Sequence, residues 1–141
     1  MNKQMSLSFI HDELKEVKTY KREFLEKMDA ILPWEQLYEL VKPCYYEGVR
    51  GNKPYDLELM LRIHLIQNLY DLSDEGTRNE IIDSRAFSDF CEVESSNQIP
   101  DGDTIGRFRN LLIQNHIHEQ FFAVVLKTLT DRGLILKKGT I

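Results

Sequence analysis

Two arginines and an asparagine stand close together in the segment 103–115, DTIGRFRNLLIQN, as Arg107, Arg109 and Asn110. The planar fork of arginine and the amide of asparagine match the hydrogen-bonding edges of guanine and adenine. A second basic pair, Arg50 and Lys53, sits in the glycine-containing stretch 45–53, YYEGVRGNK, where a phosphate could come close to the backbone. The plain alternative for Arg107 and Arg109 is that their stems flank and cover an apolar helix face. A formal net charge of −5 does not advertise a nucleic-acid binder. The charge is uneven, however. Residues 61–102 hold three arginines against nine carboxylates, and residues 103–141 hold six basic side chains against three acidic ones. An acidic middle followed by a basic C-terminal third permits a local anionic partner.

Other chemistries find little footing. The histidines are His11, His64, His116 and His118, with no pair at i,i+4 and no Cys/His cluster at zinc spacing. His116 and His118 diverge if both lie on one helix. No metal or other cofactor is expected. His64 lies four residues before Asn68 and reads as a hydrogen-bonded structural residue. Carboxylates crowd 71–83 but fall near expected helix starts, where negative charge stabilises the helix without any catalytic role. GVRGNK lacks the spacing of a phosphate-binding P-loop. Catalytic residues are therefore expected to be none.

These residues need a scaffold, and the stretch 54–72, PYDLELMLRIHLIQNLYDL, supplies its axis. Apolar residues at Leu57, Leu59, Met60, Leu61, Ile63, Leu65, Ile66, Leu69 and Tyr70 cover nearly the whole circumference of a helix. A helix apolar on most sides must be surrounded by other elements. Asp56 is its expected N-cap, and Glu58 and Arg62 are an expected i,i+4 pair on its polar edge. Upstream, residues 12–31 read as an amphipathic helix, or two helices broken near Thr19. Pro33 suits the first turn of a helix that carries Trp34, Leu37, Leu40 and Val41 inward and that Pro43 ends.

Downstream, Ser73 is expected to cap a helix over 74–83 with Ile81 and Ile82 inward. Ser84 caps a short turn carrying Phe87 and Phe90. The stretch 94–102 is a loop, longer than the tight turn of a simple helix-turn-helix. Asp103 or Thr104 starts the next helix, with Ile105, Phe108, Leu111 and Leu112 on one face and Gly106 weakening its interior. Residues 116–132 form the last helix, with Phe121, Phe122, Val125, Leu126 and Leu129 as its apolar side and Gly133 as its stop. Leu134–Leu136 reads as a strand start, and 137–139 as a turn into a second strand at Thr140 and Ile141.

With 141 residues, one domain with an ordinary core is expected. Residues 1–11 are expected to be loosely held. No apolar run reaches the roughly 18 residues of a membrane span, so no membrane partner is expected. The N-terminus lacks the apolar segment of a signal peptide. Cys44 and Cys91 read as reduced thiols in a cytoplasmic protein.

Several blocks carry a resemblance. KPYDLELMLRIHLIQNLYDLSD resembles the N-terminal region of bacterial insertion-sequence transposases of the DDE class, the InsH-like group. IPDGDTIGRFRNLL is similar to the Pro-Asp-x-x-Thr-Ile-x-Arg-Phe-Arg segment of that group. MSLSFIHDEL, FLEKMDAILPWEQL and RGLILKKGTI resemble its other blocks in the same order. Gly106 stands where a larger residue is usual. The resemblance implies a helical region that binds terminal inverted repeats in DNA transposition and helps assemble the transposase. It also implies that the strand begun at Gly139, Thr140 and Ile141 leads into a catalytic domain whose first metal-binding aspartate follows; none of the DDE residues has a counterpart here.

The expected fold is all-α, with about five to seven helices around the 57–70 rod and a short C-terminal hairpin start. The leading functional expectation is non-catalytic DNA binding through Arg50, Lys53, Arg107, Arg109 and Asn110. The alternative is a helical interaction module that pairs with itself or with a full-length transposase without touching DNA.

Overall fold

A computed structural model describes residues 18–46 and 55–135 of the chain. Helix α1, Tyr20–Ile31, is capped by Thr19, whose Oγ1 accepts from the Arg22 amide at 3.1 Å. A helix start at Thr19 lies where the sequence allows a break; the part of the expected helix over residues 12–17 lies outside the described residues. Helix α2, Trp34–Tyr46, buries Leu37, Val41 and Tyr45. Pro43 does not end it, contrary to expectation, but sits inside the helix. Pro43 and Glu39 are both exposed, so the hydrogen bond that proline cannot make is lost on the solvent side, where water replaces it.

Helix α3, Leu57–Leu69, is the expected rod, with Asp56 at its N-cap position but no side-chain capping bond. Helix α4, Asp74–Asp83, is capped by Ser73, and helix α5, Arg85–Cys91, by Ser84. Ser84 also ends α4, so one residue closes one helix and opens the next. After a 3-10 turn at Ser96–Gln98 comes helix α6, Gly102–Gln114. Its N-cap is Asp101, whose Oδ1 accepts from the Thr104 amide at 2.8 Å. The helix therefore starts before the expected Asp103 or Thr104.

Helix α7, His118–Asp131, also starts later than expected. His116 has a φ of +59°, outside any right-handed helix, and so belongs to the connecting turn. At its other end Gly133, with φ +75°, supplies the left-handed stop. The Leu134 amide reaches Leu129 O at 2.8 Å and the Gly133 amide reaches Thr130 O at 3.0 Å, closing the last turn as a Schellman motif.

Among the described residues the fold is all-helical, with seven α-helices and no strand. Leu134 and Ile135 form a bend packed against the core rather than a strand start. The rest of the expected hairpin lies outside the described residues.

The core is built around α3, which buries Leu57, Met60, Leu61, Ile63, Leu65 and Ile66 together with His64 and Gln67. Around it pack Met28 of α1, Leu37 of α2, Ile81 of α4, Phe87 of α5, Leu112 of α6 and Phe121 of α7. Two residues expected inward are instead exposed: Ile82 at 44% and Leu126 at 43%. Ile81 and Val125 hold the inner positions, and the next residue on a helix is turned about 100° away.

Arg62 does not pair with Glu58 as expected. Its guanidinium makes two hydrogen bonds to Asp29 of α1, at 3.2 and 3.0 Å, and donates to Phe90 O at 2.9 Å. It also lies against the Trp34 and Phe90 rings, 4.3 and 5.0 Å from their centroids. A tertiary carboxylate offers a two-bond fork in a less hydrated setting, which outweighs a solvated i,i+4 contact. Arg22 of α1 lies 2.9 Å from Asp89 of α5 as an ion pair outside good hydrogen-bond geometry.

Candidate nucleic-acid interface

Helix α6 turns Ile105, Phe108 and Leu112 into the core. Two glycines at i,i+4, Gly102 and Gly106, form its seam with α4. A Cβ on Gly106 would lie 2.6 Å from Asp74 Oδ2. One on Gly102 would run into the Glu75 carboxylate and come 3.3 Å from the Glu75 Cα. Gly102 lets the backbone of the first turn of α4 come close to α6, and Gly106, the glycine that weakens the helix interior, leaves room for the Asp74 carboxylate in its present position.

The five candidate residues fall into three situations. Arg50 and Lys53 lie outside the described residues. Arg107 and Asn110 are exposed on the outer face of α6, and Arg107 donates to Thr104 Oγ1 at 3.3 Å. Arg109 is held. Its Nε donates to Asp74 Oδ1 at 3.1 Å, its Nη2 to Asp74 Oδ2 at 2.8 Å and its Nη1 to Asn110 Oδ1 at 3.2 Å. Asp74 also accepts from Gln67 Nε2 at 2.8 Å, which ties the pair to α3.

The hydrogen bonds from Arg109 hold the Asp74 carboxyl below the usual carboxylate range, and the same bonds raise Arg109. Beside the pair is an open cleft of about 390 Å³, with Asn68, Asp71 and Ser73 among its walls. The structure therefore joins Arg109 to Asn110 and leaves Arg107 separate. Asp74 and Gln67 belong to the site but were not legible as site residues. The glycine pair at i,i+4 was the available signal of a close helix approach.

The notable titratable cluster elsewhere is a histidine pair. His64 Nε2 and His118 Nδ1 share a hydrogen bond at 3.1 Å, joining α3 to the first turn of α7. Phe108, Phe121 and Phe122 surround His64, which is 1% exposed. Asn68 donates to the His64 carbonyl at 2.8 Å, so the expected neighbour is a real one. Burial first, then His118 and Arg109, push the His64 pKa down to about 3. Residues 64 and 118 are 54 positions apart, and no local pattern announces their pairing.

Among the described residues, no three or more His, Cys, Asp or Glu are grouped to hold a metal ion. None of the described helices is long and apolar enough to cross a membrane. Among the described residues, Cys44 is half-buried, Cys91 is buried, and no disulfide joins them.

No solved structure matches this chain. Residues 12–111 match the family described as Transposase domain (DUF772). The matched span runs from before α1 into α6 and includes Arg50, Lys53, Arg107, Arg109 and Asn110. With well over half of its length inside that match, the chain belongs to the DUF772 transposase-domain family.

Proposed function

We propose that this chain is the DNA-binding, non-catalytic region of an insertion-sequence transposase, and that α6 is the element it lays on the terminal inverted repeats. The observation that carries this reading is the outer face of α6. Opposite the buried Ile105, Phe108 and Leu112, it exposes Arg107, Asn110 and Gln114 at i, i+3 and i+7. Those three side-chain types suit base edges and phosphates, and their spacing puts them in one row. A 13-residue helix is about 20 Å long, enough to lie along a major groove about 12 Å wide. Membership of a transposase-domain family supports the same reading. The net charge of −5 means that little general attraction to DNA is available. Binding on this reading therefore rests on directed contacts, including Arg50 and Lys53 from the 47–54 stretch.

The test is fluorescence anisotropy of the whole chain against the inverted repeats that flank its own coding sequence, with a scrambled duplex as control, over a range of salt. Repeat-selective binding that weakens with salt is expected. No selectivity for any duplex, with self-association or capture of a full-length transposase instead, would replace the reading with the interaction module. Mg²⁺-dependent cleavage of DNA by the pure chain would overturn its non-catalytic part.

A further inference from the structure

We infer that Asp74 is a positioning residue that presents Arg109 to a base edge, so that Arg109 reads sequence while Arg107 binds backbone phosphate. This deepens the proposed DNA-binding reading and rests on it.

The argument begins with donor counting. A guanidinium has five N–H groups. Three are engaged in the Arg109 bonds to Asp74 and Asn110. One N–H on each terminal nitrogen is left over, and the side chain remains 32% exposed. Asp74 grips the Nε–Nη2 edge, so the remaining donors lie one on each terminal nitrogen, the nitrogens with which arginine addresses guanine O6 and N7. The grip comes from three helices at once: Gln67 of α3 fixes Asp74, Asp74 of α4 fixes Arg109, and Gly106 of α6 leaves room for the carboxylate.

Charge separates the two arginines. Arg109 is already neutralised by a carboxylate at 2.8 Å, which a phosphate would have to displace. A base edge is neutral and makes no such demand. A side chain fixed before contact also loses less rotamer freedom on binding. Arg107 differs: it is exposed, its hydrogen bond goes to the Thr104 hydroxyl, and it acts on the neighbouring Asp101 carboxyl by charge, with no two-bond grip among the described residues.

The experiment selects preferred sites from duplexes with a randomised core, using the full chain. It then measures affinity and salt dependence for each base-pair change at the selected site. Arg109→Ala is expected to erase the preference at one G·C pair, by roughly 10- to 100-fold, with the slope of log K against log salt unchanged. Arg109→Lys should lose the same preference, because an ammonium lacks the fork. Asp74→Asn should blunt that preference and steepen the salt slope, since the released arginine becomes available to phosphate. Arg107→Ala should weaken all duplexes alike and reduce the slope by about 0.9.

Circular dichroism establishes that each variant is folded; Asp74 is partly solvated, so loss of Arg109 does not strand a buried charge. A smaller salt slope with intact base preference in Arg109→Ala would make Arg109 a phosphate contact and overturn the inference. No change in either quantity would make the pair purely structural and overturn it equally. Failure to enrich any duplex would instead remove the DNA-binding reading itself, and the inference with it.

Discussion

Acid should destabilise this protein through His64 before it acts on the carboxylates. The ring is buried among Phe108, Phe121 and Phe122, and its pKa falls from 6.5 to about 3, first by burial and then by His118 and Arg109. Between those two values the unfolded chain binds the proton and the folded chain does not. The stabilisation is therefore complete above 6.5 and declines as the pH falls towards 3. Each pH unit inside the window is worth about 1.4 kcal/mol, which makes the loss about 2 kcal/mol between pH 7.5 and 5. For a domain with about 5–15 kcal/mol in total, that is a measurable share. Asp74 and Asp101 do not confuse this window. Hydrogen bonds, from Arg109 and from the Thr104 amide respectively, lower both from 3.8, so they lose their contributions only in stronger acid.

The assay is urea denaturation at several pH values from 7.5 to 5, for the wild type and for His64→Leu. Leucine is close in size and apolar, suiting the aromatic surroundings, while the half-buried His118 can turn to water. The wild type should lose about 2 kcal/mol over the range and the variant should show a much flatter profile. Parallel decline in the two proteins would refute the reasoning and place the acid sensitivity elsewhere.

Leu61→Asp should abolish the cooperative thermal transition, because Leu61 is buried in the middle of α3 and an unpaired buried charge costs several kcal/mol. Arg62→Lys should destabilise by roughly 2 kcal/mol in urea melts, since an ammonium can neither match the two-oxygen contact with Asp29 nor stack flat on Trp34. Cys91 should resist iodoacetamide at pH 8 until the chain is unfolded, because burial pushes its thiol up to about 12; rapid alkylation of Cys91 in native protein would contradict this.

Much of the scaffold was written in local sequence. The helix capped by Thr19, the all-round apolar rod of α3, the serine caps of α4 and α5, and the Gly133 stop each depend on residues within a few positions of one another. Helix periodicity and capping chemistry are short-range, so one sequence is enough to read them. Errors of placement had local causes as well. Pro43 reads as a stop because local sequence does not encode its exposure. Ile82 and Leu126 read as buried because they adjoin residues that are. The candidate arginines and asparagine were also visible, since residue type and spacing alone nominate them.

What only the tertiary structure decided is which charges meet. Arg62 chooses Asp29 over Glu58, Arg109 is gripped by Asp74 from 35 residues away, and His64 finds His118 across 54. Each pairing is set by how α3, α4, α6 and α7 pack. Packing is fixed by the sum of many buried apolar contacts and by the room that Gly102 and Gly106 leave. A charged side chain on a helix has several possible partners within reach of its neighbours in sequence. The one it takes depends on which groups the folded core brings to it and how far they are removed from water. For that reason Arg107 and Arg109, equivalent to the eye in GRFRN, end in different electrostatic states.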